Sequence, residues 1–138
     1  MSYNMNLFPI RKFSQAVDHF KKHLKEPIKK DFKMNEYAWM IITEQNRYCI
    51  TYKREYYKSF SSHFPKLGGG YGQVANIELL EVCILNMVNQ FVMVMPDEKI
   101  YAVDPKVWLD YYKANNTAVK HLTGECALPL KMFRRFDE

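Results

Sequence analysis

Cysteine is scarce in this chain. Cys49, Cys83 and Cys126 are odd in number and far apart, and no C-x-x-C occurs, which argues against a disulfide framework. Each sits in an apolar stretch, as a small buried hydrophobe does, and a reducing, cytoplasmic setting is the expectation. Glycine numbers only 5, and all but one fall in the run Gly68-Gly69-Gly70-Tyr71-Gly72. Uninterrupted apolar length is also missing. The richest stretch, residues 74–95, is broken by Asn76, Glu78, Glu81, Asn86, Asn89 and Gln90, so no membrane span is expected. Met1-Ser2-Tyr3-Asn4 lacks the basic-then-apolar order of a secretory leader. No HExxH, GxSxG or dinucleotide fingerprint is present, and no spacing assigns a Ser–His–Asp or Cys–His pair. Catalytic residues are therefore unknown at this level.

What the chain has is apolar and aromatic mass: 48% hydrophobic and 15% aromatic over 138 residues, enough for one packed domain. It also has a lopsided charge. Residues 1–70 hold 13 basic and 6 acidic side chains, and residues 71–138 hold 7 and 9. Surplus charge of one sign in one half suits docking on a polyanion, although solvated lysines on surface helices give the same count.

The surplus is densest at residues 47–66, where five basic residues face one acid. Arg47, Lys53, Arg54, Lys58 and Lys66 alternate there with Tyr48, Tyr52, Tyr56, Tyr57, Phe60 and Phe64. Cations that neutralise phosphates, beside rings on which bases stack, make a single-stranded nucleic-acid surface. Residues 69 and 70 (Gly69, Gly70) add bare backbone N–H groups before a helix, with Lys66 nearby, though without P-loop spacing. The candidate nucleic-acid contacts are Arg47, Tyr52, Lys53, Arg54, Tyr56, Tyr57, Lys58, Lys66, Gly69 and Gly70. The rival account is an ordinary strand, in which tyrosines fill a half-buried pleat and the charges face water.

Periodicity predicts an α+β fold, helices packed on a mixed or mostly antiparallel sheet, in the order α-β-β-α-β-β-α-β. All 138 residues form one domain, with 1–11 loosely ordered and 59–73 a glycine-rich loop. A first helix spans roughly 14–25, capped by Ser14, with Phe13, Ala16, Val17, Phe20 and Leu24 on one stripe. Strands at 36–43 and 47–57 form a hairpin across Glu44-Gln45-Asn46. Neither face of the second strand is purely apolar, so one face or an edge is open for work, and which face is buried stays undecided. A helix over 74–89, apolar nearly all round, is the expected central core helix. Strands at 91–95 and 100–103 form a second hairpin. Asp104-Pro105 opens a third helix carrying Trp108, Tyr111 and Tyr112. A strand at 125–130 and a short helix at 131–136 complete the chain.

No metal site is assigned. His19 and His23 share a helix face, but a third ligand is lacking. Glu78 and Glu81 are the solvated edge of their helix. The layout, a helix, a Lys- and Glu-bearing hairpin, a second helix and a strand over residues 12–103, resembles the α-β-β-β-α-β core of PD-(D/E)xK, restriction-endonuclease-like proteins. That resemblance implies a divalent-metal nuclease, with Asp on one strand and E-x-K on the next. The chain departs from it: Glu55-Tyr56-Tyr57-Lys58 is E-x-x-K, Pro96-Asp97-Glu98-Lys99 lies in a turn, and a third strand after the hairpin is not evident. A degenerate site is what the resemblance then implies, with Mg²⁺ the cofactor only on that reading and no cofactor otherwise. The leading expectation is a nucleic-acid-binding protein with little sequence preference, its partner single-stranded nucleic acid, with no membrane partner. A third option is a protein-interaction module or homo-oligomer using the hairpin edge or the Trp108/Tyr111/Tyr112 helix.

Overall fold

The computed structural model describes residues 10, 12–52, 72–115 and 125–138. Helix α1 is Phe13–His23, with Ala16, Val17 and Phe20 buried. It starts at Phe13, one residue before the expected 14, and its N-cap is Lys12 instead of Ser14: the Lys12 backbone N–H donates to Gln15 Oε1 at 3.1 Å. Leu24, in extended backbone, ends it ahead of Pro27.

Strands β1 (Ile28–Asn35), β2 (Ala38–Thr43) and β3 (Arg47–Tyr52) follow as an antiparallel meander. The sequence reading missed β1. Its residues IKKDFKMN are exposed or half-buried throughout, so there is no apolar alternation to read. Lysines and two register breaks mark it as the guarded edge of the sheet.

Strand β4 (Gly72–Asn76) occupies ground assigned to a loop and to the start of a helix. Helix α2 is Ile77–Leu85, so it begins three residues late and ends four early against 74–89. Nor is it the central core helix. Leu80 and Cys83 are buried, but Leu85 is 82% exposed, so apolar content misled where one face alone packs.

Its end is a Schellman turn: Val88 N–H bonds the Cys83 carbonyl (2.8 Å) and Met87 N–H bonds that of Ile84 (3.0 Å). Met87 takes the left-handed position at φ 62°, where glycine is usual, and its side chain is 76% exposed.

Strands β5 (Gln90–Val94) and β6 (Ile100–Val103) form the second hairpin as expected. Helix α3 is Pro105–Asn115, opened by Asp104, whose Oδ1 accepts the Lys106 N–H at 2.9 Å. Trp108 and Tyr112 are core residues, not the contact surface weighed from the sequence; Trp108 meets Phe91 and Phe133 edge-on, at 5.2 Å each. Strand β7 (Glu125–Pro129) pairs with β4 in a separate two-stranded sheet. The expected terminal helix is one short 3-10 turn, Leu130–Met132, and then β8 (Arg134–Arg135), which pairs with β6.

The main sheet runs β1-β2-β3-β5-β6-β8, with β3 and β5 parallel and the other neighbours antiparallel. Side-chain alternation divides it into two faces. Ile41, Tyr48, Ile50, Val92, Val94 and Ile100 pack with Ala16 and Phe20 of α1. Met40, Cys49, Phe91, Met93 and Val103 pack with Leu80 and Cys83 of α2 and Trp108 and Tyr112 of α3. The α+β class is as expected, and β1 supplies a third strand before the hairpin instead of after it.

Met87→Gly is expected to raise stability by about 1 kcal/mol, since glycine holds positive φ without Cβ crowding and little packed surface is lost. Chemical denaturation with an unchanged m value checks this; a loss of stability contradicts it.

Candidate functional site

Of the candidate contacts, the structure describes Arg47 and Tyr52; Lys53, Arg54, Tyr56, Tyr57, Lys58, Lys66, Gly69 and Gly70 lie outside the described residues. Arg47 begins β3 and Tyr52 ends it, five steps apart or roughly 17 Å at strand rise. The four residues between them are buried. The expectation of an open face or edge therefore fails for 48–51. Strand β5 pairs along the edge of β3 opposite β2, α1 covers one face, and the α2/α3 layer covers the other. Alternation was read correctly, with Tyr48, Ile50 and Tyr52 on the α1 side, but that side is core. Tyr48 sits 5.2 Å from the Phe20 ring and 6.0 Å from Phe136.

Two chemically different ends result. At the carboxyl end of β3 and β5 the Tyr52 hydroxyl donates to the Ile10 carbonyl, and Ile10 N–H reaches the Pro96 carbonyl at 3.4 Å. His19 Nε2 donates to the Glu98 carbonyl at 2.9 Å, and its Nδ1 lies 3.9 Å from the Glu98 carboxylate. Gln15, Asp18, His19, Lys22 and Glu98 border a cavity of about 290 Å³ there. The His19 and His23 rings stand 4.7 Å apart, but each donates to a backbone carbonyl, His23 Nδ1 to that of His19 at 3.1 Å. Among the described residues no group of three or more His, Cys, Asp or Glu is placed to hold a metal.

At the amino end, Glu26 gathers three donors from the β2–β3 hairpin. Thr43 Oγ1 donates at 2.6 Å, Asn46 Nδ2 reaches both carboxylate oxygens at 3.1 Å, and the Tyr48 hydroxyl donates as well. Thr43 Oγ1 also accepts the Asn46 N–H at 3.0 Å, closing the turn. Asn89 then ties the turn to β5: its Nδ2 donates to Asn46 Oδ1 at 2.9 Å, and its Oδ1 accepts the Arg47 N–H at 3.0 Å. Burial pushes the Glu26 carboxyl up, but the hydrogen bonds from Thr43, Tyr48 and Asn46 outweigh it and hold it below the ordinary value of 4.5. Burial, then the hydrogen bond to Glu26, raises the Tyr48 phenol far above its usual range, so it remains a proton donor.

Arg47 Nε donates to the Asn86 carbonyl at 2.8 Å, and Arg134 Nη2 donates to Gln90 Oε1 at 2.7 Å. Cavities of about 510 and 410 Å³ open beside them, and Asn89 borders both. Sequence reasoning took Glu44-Gln45-Asn46 as a turn and singled out neither Glu26 nor Asn89 nor Arg134. Their partners lie 17 to 44 residues away, so no local spacing carries the signal. No protein-family model, curated protein or solved structure matches the chain.

Because the folded Glu26 carboxyl titrates below 4.5, folding favours its ion. The stability it contributes is complete above that value and is lost as pH falls through the folded pKa. Glu26→Gln should cost about 1–3 kcal/mol at neutral pH and flatten the acid limb of stability. Thermal unfolding from pH 7 to 3 checks this; an acid limb as steep as that of the parent chain contradicts it.

Proposed function

We propose that this protein binds nucleic acid with little sequence preference, taking a single strand at the carboxyl end of the parallel β3–β5 pair. One observation carries the reading. The parallel pairing ends at Tyr52 and Val94, and from Tyr52 the sequence runs straight into Lys53, Arg54, Tyr56, Tyr57, Lys58 and Lys66. In open α/β sheets, ligands sit outside the carboxyl ends of the parallel strands, and β3–β5 is the parallel pair of this mostly antiparallel sheet. The most basic, most aromatic part of the sequence thus begins one residue past the end where such a sheet offers its site. The phosphates would meet the lysines and arginines, and bases would stack on the tyrosines. Lys22, on the cavity beside His19, adds a cation at the same end. Cys49 and Cys83, both buried thiols, fit the reducing, cytoplasmic setting of such a protein.

A specific observation favours a second reading, a degenerate metal-dependent nuclease. Strands β1, β2 and β3 between α1 and α2, followed by β5, supply the α-β-β-β-α-β order of the PD-(D/E)xK core, with β4 inserted. Yet neither β2 (AWMIIT) nor β3 (RYCITY) carries an acid, where that core would need Asp and E-x-K. Binding without cleavage is the reading this combination supports better.

Fluorescence anisotropy with labelled single-stranded oligonucleotides should give affinity that falls linearly in log–log form with salt. Lys53→Ala with Arg54→Ala should weaken binding to all sequences alike and reduce the slope by about 1.4, or 0.7 for each lost contact to a single strand. Salt-independent binding, or an unchanged slope in the double variant, rules the reading out. Cleavage with Mg²⁺ that EDTA abolishes would promote the nuclease.

A further inference from the structure

Arginines in folded proteins are commonly neutralised by a carboxylate. Lys21, Lys29, Lys99 and Arg135 all have one here: Asp31 at 3.5 Å, Glu44 at 3.2 Å, Asp97 at 3.8 Å and Asp137 at 2.5 Å. Arg47 and Arg134 differ. Among the described residues neither is in an ion pair, yet both are held in place by neutral acceptors. Arg47 is fixed through Nε to the Asn86 carbonyl (2.8 Å). Its backbone N–H and carbonyl both bond to Asn89 (3.0 and 3.1 Å). Arg134 is fixed through Nη2 to Gln90 Oε1 (2.7 Å) and lies 5.1 Å from the Phe136 ring. An anchor that orients a guanidinium without cancelling its charge leaves a fork ready for an incoming anion.

The two forks converge on one short segment, Asn86–Gln90, which the Schellman turn at Met87 sets in place. Arg47 lies on β3 and Arg134 on β8, three strand spacings apart or roughly 14 Å. Asn89 borders both the 510 Å³ cavity beside Arg47 and the 410 Å³ cavity beside Arg134. Of the acids on these cavities, Glu44 pairs with Lys29, while Asp104 accepts the Lys106 N–H and keeps its charge. Glu26, which accepts from Tyr48, Thr43 and Asn46, lines neither cavity.

We propose that Arg47 and Arg134 form a two-point phosphate-binding site at the amino end of β3 and β5, opposite the end given to the basic segment 53–66. A guanidinium fork takes phosphate or carboxylate bidentately, and of the two it is phosphate that a polynucleotide repeats along its length, so that one strand engages both forks. The source of the phosphate, a polynucleotide, rests on the function proposed above; the phosphate chemistry of the site does not.

Two probes separate those claims, inorganic tripolyphosphate and a labelled oligothymidylate. In the intact chain, each should move the NMR signals of the Asn89 and Gln90 amides and of the Arg47 and Arg134 Nε–H groups. Arg47→Gln with Arg134→Gln should lose about tenfold or more in affinity for both probes and reduce the oligonucleotide salt slope by about 1.4. Arg47→Lys with Arg134→Lys should keep most of the salt slope. Tripolyphosphate binding that disappears in the glutamine variant, without oligonucleotide binding by the parent chain, upholds the site and removes the nucleic-acid reading. Oligonucleotide binding that is unchanged in the glutamine variant overturns the site and leaves that reading standing. If the variant does not fold, as circular dichroism would report, the parent signals decide: stationary Asn89, Gln90 and arginine resonances overturn the site.

Discussion

The parallel pairing of β3 with β5 is the constraint on which the rest of the molecule depends. Antiparallel neighbours can be joined by a tight turn, but parallel neighbours cannot, because the chain must return to the end at which it started. Residues 53–89 make that return and include β4 and α2. The pairing also places β3 inside the sheet, so Tyr48, Cys49, Ile50 and Thr51 are buried whatever their polarity. It makes the two ends of the strand unlike. One end emits the basic segment, and the other receives the chain back through Asn86–Gln90.

The ends are held by different chemistry. The amino end is tied by an ionised carboxylate with three side-chain donors, and charge-assisted hydrogen bonds of this kind are roughly twice as strong as neutral ones. Glu26 lies just past the C-terminus of α1, so the same group fixes that helix against the turn it caps. At the carboxyl end, Ile10 bridges Tyr52 and Pro96, with His19 on the Glu98 carbonyl beside it. The described contacts at the two ends thus differ in kind: a carboxylate with three side-chain donors at one, and backbone carbonyls that accept from Tyr52, His19 and Ile10 at the other.

Elements set by local chemistry were legible in the sequence. The Phe13–Leu24 stripe, the β2–β3 and β5–β6 hairpins and the Asp104-Pro105 helix start all rest on residues within a few positions of one another. Elements set by distant partners were not. β1 is a strand because β2 offers it hydrogen bonds, and its polar sequence shows no period. β4 exists by pairing with β7, some fifty residues on. α2 stops at Leu85 through a turn with methionine where glycine would have marked the end. The site divides in the same way. A cluster of cations and rings is visible as letters, and it drew notice to 47–66. Carboxylate, amide and guanidinium groups brought together from Glu26, Asn46, Asn89 and Arg134 have no adjacent letters to reveal them.

Amide hydrogen exchange with and without a single-stranded oligonucleotide, read by peptide mass spectrometry, tests the central claim most directly. The account predicts slowed exchange in peptides that begin at the end of β3 and cover 52–66, with β1 and α3 unchanged. Protection confined to the outer edge of β1 or to α3, with none past Tyr52, would contradict it.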